Sequence, residues 1–357
     1  MSDAFFPETS NIEGVDFIKL RGWMDGKNIG AGPIIDVAPL TGGTQNIMVR
    51  FERNGEQYVL RRPPIHKRRN SDKTMLREAR VLGALGGTGV PHPRLIAACA
   101  DTWVTDSTFY LASYVDGFNP TVIQPDFHMD TPDIAHRMAL SHIEAIAALG
   151  NVDWVKQGLH DFGKPDGWLA RQVPRWRSHW EGYLETPEYS AEELVGVGTI
   201  GAWLERRMPE QGKPGIVHGD CHLANTLFEW ETPELAALVD WELATIGDPL
   251  LDLGWVLATS HDPDDVDRDS DGLTAPQLSQ KFASADQMIA HYAQTSGRPV
   301  DHAWWYGVLA CYKLAIIIEG TYVRFLEGKV SEETGTFLHE LAIGLFNRAE
   351  RFMLKQS

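Results

Sequence analysis

The spacing of apolar residues changes character near residue 115, and that change limits the folds open to this chain. Before it, apolar residues alternate in short runs, the mark of half-buried strands, over 34–40, 46–52 and 57–61. Asn54-Gly55 between the last two suits a tight hairpin turn. Residues 109–115 read as a further strand, ended by Asp116-Gly117. One segment of this half, 71–85, carries Met75, Ala79, Leu82 and Leu85 at helical spacing. Past residue 117 the helical period takes over, across 131–149, 168–184, 191–208, 279–294, 302–319 and 332–354, with a strand-rich interruption at 215–239. The expectation is an α+β chain without internal repeats, built as two lobes. Residues 1–115 make a small antiparallel sheet with one main helix, and residues 116–357 a larger, mostly helical lobe.

With 357 residues the chain is long enough for two such cores, and its hydrophobic share of 43% excludes extended disorder. The formal charge of −17 gives a field that repels nucleic acid and anionic membranes, so neither is an expected partner. The cysteines, Cys99, Cys221 and Cys311, are odd in number and widely spaced, which argues against a disulfide framework or a zinc knuckle. The N-terminus lacks an apolar signal core, and the most apolar late stretch, 306–318, is too short to span a bilayer and contains Lys313. A cytoplasmic location is the expectation. Asp267, Asp269, Asp271 and Gly272 match the start of a calcium loop. Leu278, however, stands where the bidentate Glu is required, so a solvated surface loop is the reading.

The chemistry concentrates in two places. In 216–228, apolar runs flank a polar knot, His218-Gly219-Asp220-Cys221-His222, with Asn225 five residues beyond Asp220. A carboxylate can orient an attacking hydroxyl and take its proton, and a neutral oxygen a few residues on can hold a metal beside phosphates. The strand 235–239 then runs into Asp240-Trp241-Glu242, and a hairpin of that length can return Asp240 to the same site. Magnesium prefers hard oxygen ligands of this kind. His218 is read as bracing the loop and Cys221 as packing. Asp248, before Pro249, suits the start of a helix, and Asp252 is read as a partner of the loop.

The pair of motifs resembles the aminoglycoside phosphotransferase (choline kinase-like) superfamily, whose mark is HGDxxxxN followed by an apolar strand and D-[FW]-[ED]. The resemblance covers about residues 30–350 and implies a protein-kinase-like fold. It implies Asp220 as the catalytic carboxylate, with Asn225 and Asp240 as magnesium ligands. It implies Gly42, Gly43 and Thr44 as a loop over the nucleotide phosphates, and Arg61 at the position where kinases carry a lysine. Glu78 becomes the partner of Arg61, and Ser113 and Val115 become the backbone segment that reads the base of ATP or GTP. Arg62 competes with Arg61, though strand alternation favours Arg61. Segment 168–177 further resembles the branch found alone or fused to acyl-CoA dehydrogenases. This implies an acceptor such as a hydroxyacyl-CoA, with Arg171, Arg175 and Glu242 on the acceptor side.

The expected activity is transfer of the γ-phosphoryl group of Mg2+-ATP or GTP to a hydroxyl of a small molecule, either hydroxyacyl-CoA-like or an aminoglycoside or amino alcohol. The alternative is a non-catalytic nucleotide-binding protein with a degenerate kinase-like fold. The oligomeric state, monomer or homodimer, is open.

Overall fold

The computed structural model describes residues 12–40, 46–67, 69–131, 133–261, 278 and 280–356. Gly42, Gly43, Thr44 and most of the aspartate-rich stretch lie outside the described residues. The chain divides into a smaller unit, residues 1–116 with 239–242, and a larger unit, 117–238 with 243–357.

The smaller unit is a five-stranded antiparallel sheet in the order β1-β2-β3-β5-β4: β1 (Ile35–Pro39), β2 (Ile47–Arg53), β3 (Glu56–Arg62), β4 (Leu95–Cys99) and β5 (Phe109–Ser113). Period-two patterning decides its faces. Val49, Phe51, Leu60, Phe109 and Leu111 are fully buried, in one cluster with Leu20, Trp23 and Met24 of helix α1 (Phe17–Gly26). Asp16 caps α1, accepting from the amides of Ile18 and Lys19 at 3.0 Å. Met48, Arg50, Val59 and Arg61 fall on the opposite face, paired Met48 with Arg61 and Arg50 with Val59. The one main helix expected is α2 (Ser71–Leu85), and the shorter α1 accompanies it.

The larger unit holds α3 (Asp126–Asp130), α4 (Ile134–Asn151), α5 (Gln172–Glu181), α6 (Val197–Arg206), α7 (Leu250–Thr259), α8 (Ala285–Ser296), α9 (Ala303–Leu326) and α10 (Glu332–Lys355). Two short antiparallel ribbons, β6 (Gly215–Val217) with β9 (Thr245–Gly247) and β7 (Thr226–Phe228) with β8 (Leu235–Leu238), form the strand-rich interruption. The expectation of an apolar stretch too short to span a bilayer is corrected at α9. Its 24 residues are long and apolar enough to cross one by length and composition alone. Within the protein 72% of its apolar window is buried, and it carries Lys313 and Glu319 inward, as a core helix does.

Candidate active site

In the larger unit, β6 is fully buried and delivers His218-Gly219-Asp220 at its end. Gly219 sits at φ +85°, and a Cβ there would lie 2.8 Å from the carbonyl oxygen of Leu243, so the turn requires glycine. Asp252, in the first turn of α7, accepts from the amides of His218 at 2.7 Å and Gly219 at 2.8 Å. Burial pushes the Asp252 carboxyl up to about 6, against those two amides.

Asp220 is held from two sides. Asn225 Nδ2 donates to its carbonyl oxygen and to Oδ2, both at 3.0 Å. His222 Nε2 lies 3.3 Å from Oδ1. Burial opposes its charge, but His222, His218 and Lys313 outweigh burial and hold its carboxyl below the ordinary range. Because Asn225 spends its Nδ2 here, its Oδ1 is the oxygen left to face a cation. Cys221 is fully buried, and burial pushes its thiol far up, which suits packing.

In the smaller unit, Arg61 on β3 joins two carboxylates. Its Nε lies 3.1 Å from Glu78 Oε2 and its Nη2 lies 2.6 Å from Asp240 Oδ1. Tyr110 donates to Glu78 Oε2 at 3.1 Å. Burial opposes the charge of Arg61, but Tyr110, Glu78 and Asp240 more than offset it and raise its pKa. Burial pushes the Glu78 carboxyl up to about 7, against the pull of Arg61. Arg62 turns elsewhere, to the carbonyls of Pro63 and Gly14. Asp240 adopts a left-handed backbone at φ +65°, a strained conformation for a non-glycine residue and one that clusters at functional sites.

Glu78, Asp240 and Glu242 each offer an oxygen within 4.8 Å of the others, and Glu78 Oε1 is a buried acceptor with no hydrogen-bond donor. Hard oxygens in this arrangement fit magnesium. Glu242 thus groups with Glu78 and Asp240. On the same sheet, Asp36, Val37, Ala38, Arg50, Phe51, Glu52 and Gln57 line a pocket of about 250 Å³.

Ser113 is largely spent on Arg94, through its amide at 2.9 Å and its hydroxyl at 3.0 Å. Val115 lies just beyond β5. Arg171 binds the carbonyls of Lys164 and Asp166, closing its own loop. Arg175 is exposed over the Trp176 ring at 5.2 Å. Neither Tyr110 nor Lys313 was expected as a site residue, and Lys313 was read only as a charge within an apolar stretch. An aromatic residue on a strand and a lysine within an apolar helix carry no motif that flags either.

A family model described as "Phosphotransferase enzyme family" matches residues 36–291. Acyl-CoA dehydrogenase family member 10 of Mus musculus is 27% identical over 310 residues, covering 84% of this chain and 27% of that protein. The chain spans well under half the length of the curated relatives it matches. The crystal structure of a Ralstonia eutropha protein, provisionally named an aminoglycoside phosphotransferase, is 27% identical. Its TM-score is 0.74, over 94% of this chain and 98% of that one. The ADP-bound aminoglycoside phosphotransferase APH(2'')-Ib has the same fold, with a TM-score of 0.57 at 15% identity over 95% of this chain and 99% of that one.

Proposed function

Because the chain belongs to the phosphotransferase enzyme family, we propose that it is a small-molecule kinase, moving the γ-phosphoryl group of magnesium-ATP, with GTP as the other candidate donor, to a hydroxyl of a small molecule. The observation that carries this reading is the Asp220–Asn225 pair, in which one amide fixes the carboxylate and keeps an oxygen for a cation. Asp220 orients the acceptor hydroxyl and takes its proton. Asn225 and Asp240 would hold magnesium, with Glu242 as a further oxygen near Asp240. Bound there, the ion neutralises charge on the transferring phosphoryl group. Arg61 binds phosphate oxygens through its planar guanidinium, and Glu78 holds that guanidinium in place. Gly42, Gly43 and Thr44 cover the phosphates, and the backbone at Ser113 and Val115 reads the base.

A hydroxyacyl-CoA-like alcohol is the first candidate acceptor, since the curated relatives carry acyl-CoA dehydrogenase names. Arg171 and Arg175 would meet its anionic groups. A cationic aminoglycoside or amino alcohol is the second, in keeping with the net charge of −17. The protein acts in the cytoplasm as a monomer or homodimer. A phosphorylation screen across hydroxyacyl-CoAs, choline-like alcohols and aminoglycosides tests the proposal. Asp220→Ala is expected to lower kcat on the responsive acceptor by about 10²-fold or more while sparing magnesium-ATP affinity. Undiminished turnover in that variant overturns the assignment, and nucleotide binding without turnover on any acceptor favours a non-catalytic protein.

A further inference from the structure

Lys313 lies midway along α9, in a strongly apolar stretch, and is only 7% exposed. Burying an ammonium is costly unless the site compensates it. Here the compensation comes from the larger unit's catalytic loop. Lys313 Nζ donates to the carbonyl of Gly219 at 2.8 Å. It faces the Trp255 ring at 4.3 Å and the Trp176 ring at 5.6 Å. A methionine would pack between two indoles without any desolvation cost, so packing alone does not call for a lysine.

We propose that Lys313 is a positioning residue for Asp220, a buried cation that clamps the Gly219 carbonyl and supplies the positive potential in which the Asp220 carboxylate works. The proposal rests on Asp220 being the acting carboxylate. Two anchors then hold the two peptide groups that flank the Gly219 α-carbon. Asp252 takes the Gly219 amide and Lys313 takes the Gly219 carbonyl. The left-handed turn between them fixes the direction in which the next residue, Asp220, points. Burial and Arg175 push the ammonium down, to about 8, while Asp220, Asp252 and Cys221 pull it back up, so it stays largely cationic at neutral pH.

The test compares Lys313→Met, Lys313→Gln and Lys313→Arg with Asp220→Asn. It reads ADP release from magnesium-ATP with water as acceptor, magnesium-ATP affinity by calorimetry, and thermal unfolding. The expected result is a kcat loss of about 10²-fold in Lys313→Met with nucleotide affinity within a few-fold of wild type. Lys313→Gln, which keeps a donor without the charge, falls between, and Lys313→Arg recovers most of the rate. Should Lys313→Met fail to fold, the Gln and Arg variants decide between them. Equal rates in Gln, Arg and wild type overturn the proposal, as does a loss in Arg as deep as in Gln, or losses in kcat and affinity that only track lost stability. Asp220→Asn separates the premises. If it turns over normally, the catalytic assignment itself fails. If it is inactive while the Lys313 variants are normal, only the role of Lys313 fails.

Discussion

Arg61 lies between Glu78 and Asp240, donating from Nη2 to Asp240 at 2.6 Å while its Nε sits 3.1 Å from Glu78 as an ion pair without hydrogen-bond alignment. A lysine ammonium is a point charge and cannot place its charge beside both carboxylates in the same way. The buried Glu78 depends on it, because Arg61 is the cation opposing a burial that already lifts the carboxyl to about 7. Removing the guanidinium leaves a buried carboxylate unpaired, which costs roughly 3–5 kcal/mol. Arg61→Met is expected to lose stability on that scale in urea unfolding at pH 8, where folding must either bury the Glu78 charge or protonate it, and less at pH 5.5, where protonation costs less. Arg61→Lys should keep about half of the stabilisation. The family resemblance named Arg61, Glu78 and Asp240, with strand alternation favouring Arg61 over Arg62. Tyr110, which donates to the same Glu78 oxygen, carried no signal because its role exists only once β3 and β5 pair Arg61 with Tyr110.

At the scale of elements, strands with alternating faces and helices with one apolar stripe were legible, and α2 spans the expected 71–85. Helix α1 escaped although Leu20, Trp23 and Met24 give it a stripe, while two other elements offer none to read. Helix α7 is buried on every side, so all ten of its residues face protein and periodicity vanishes. β4 is a five-residue strand, Leu-Ile-Ala-Ala-Cys, too short to alternate clearly. The close packing of α7 on α9 was equally invisible, because it depends on a missing side chain. A Cβ at Gly254 would lie 2.4 Å from the backbone of Tyr306, so the helices touch only because that residue is glycine. Alanine favours a helix by about 1 kcal/mol over glycine, yet here overpacking, typically about 1–3 kcal/mol, opposes it. Gly254→Ala is expected to be net destabilising in denaturant titration. It should also lower kcat, since α7 carries Asp252 and α9 carries Lys313, the two anchors of Gly219.

For the whole molecule, the pH dependence of stability follows from a few buried ionisable groups rather than from the net charge of −17. His142 on α4 is buried, and burial drives its imidazole down to about 3, with His218 and His222 pushing the same way. Its Nε2 has no hydrogen-bond donor or acceptor facing it. Between pH 6.5 and 3 the unfolded chain therefore binds a proton at this site that the folded chain refuses, and stability falls as pH falls. Asp252 works in the opposite direction. Its carboxyl, raised to about 6 by burial, takes up a proton in the folded state before it does in the unfolded one, so stability is gained as pH drops from 6 toward 4. The two contributions offset one another in wild-type protein near pH 5. Replacing the imidazole by an apolar side chain of similar size removes only the loss. His142→Leu is thus expected to gain stability relative to wild type on going from pH 7 to pH 5, by on the order of 2 kcal/mol, read from urea unfolding of both proteins at both pH values. All other titrating groups are common to the two proteins and cancel in that difference. An identical pH response in both would mean that His142 takes up its proton in the folded protein as readily as in the unfolded chain.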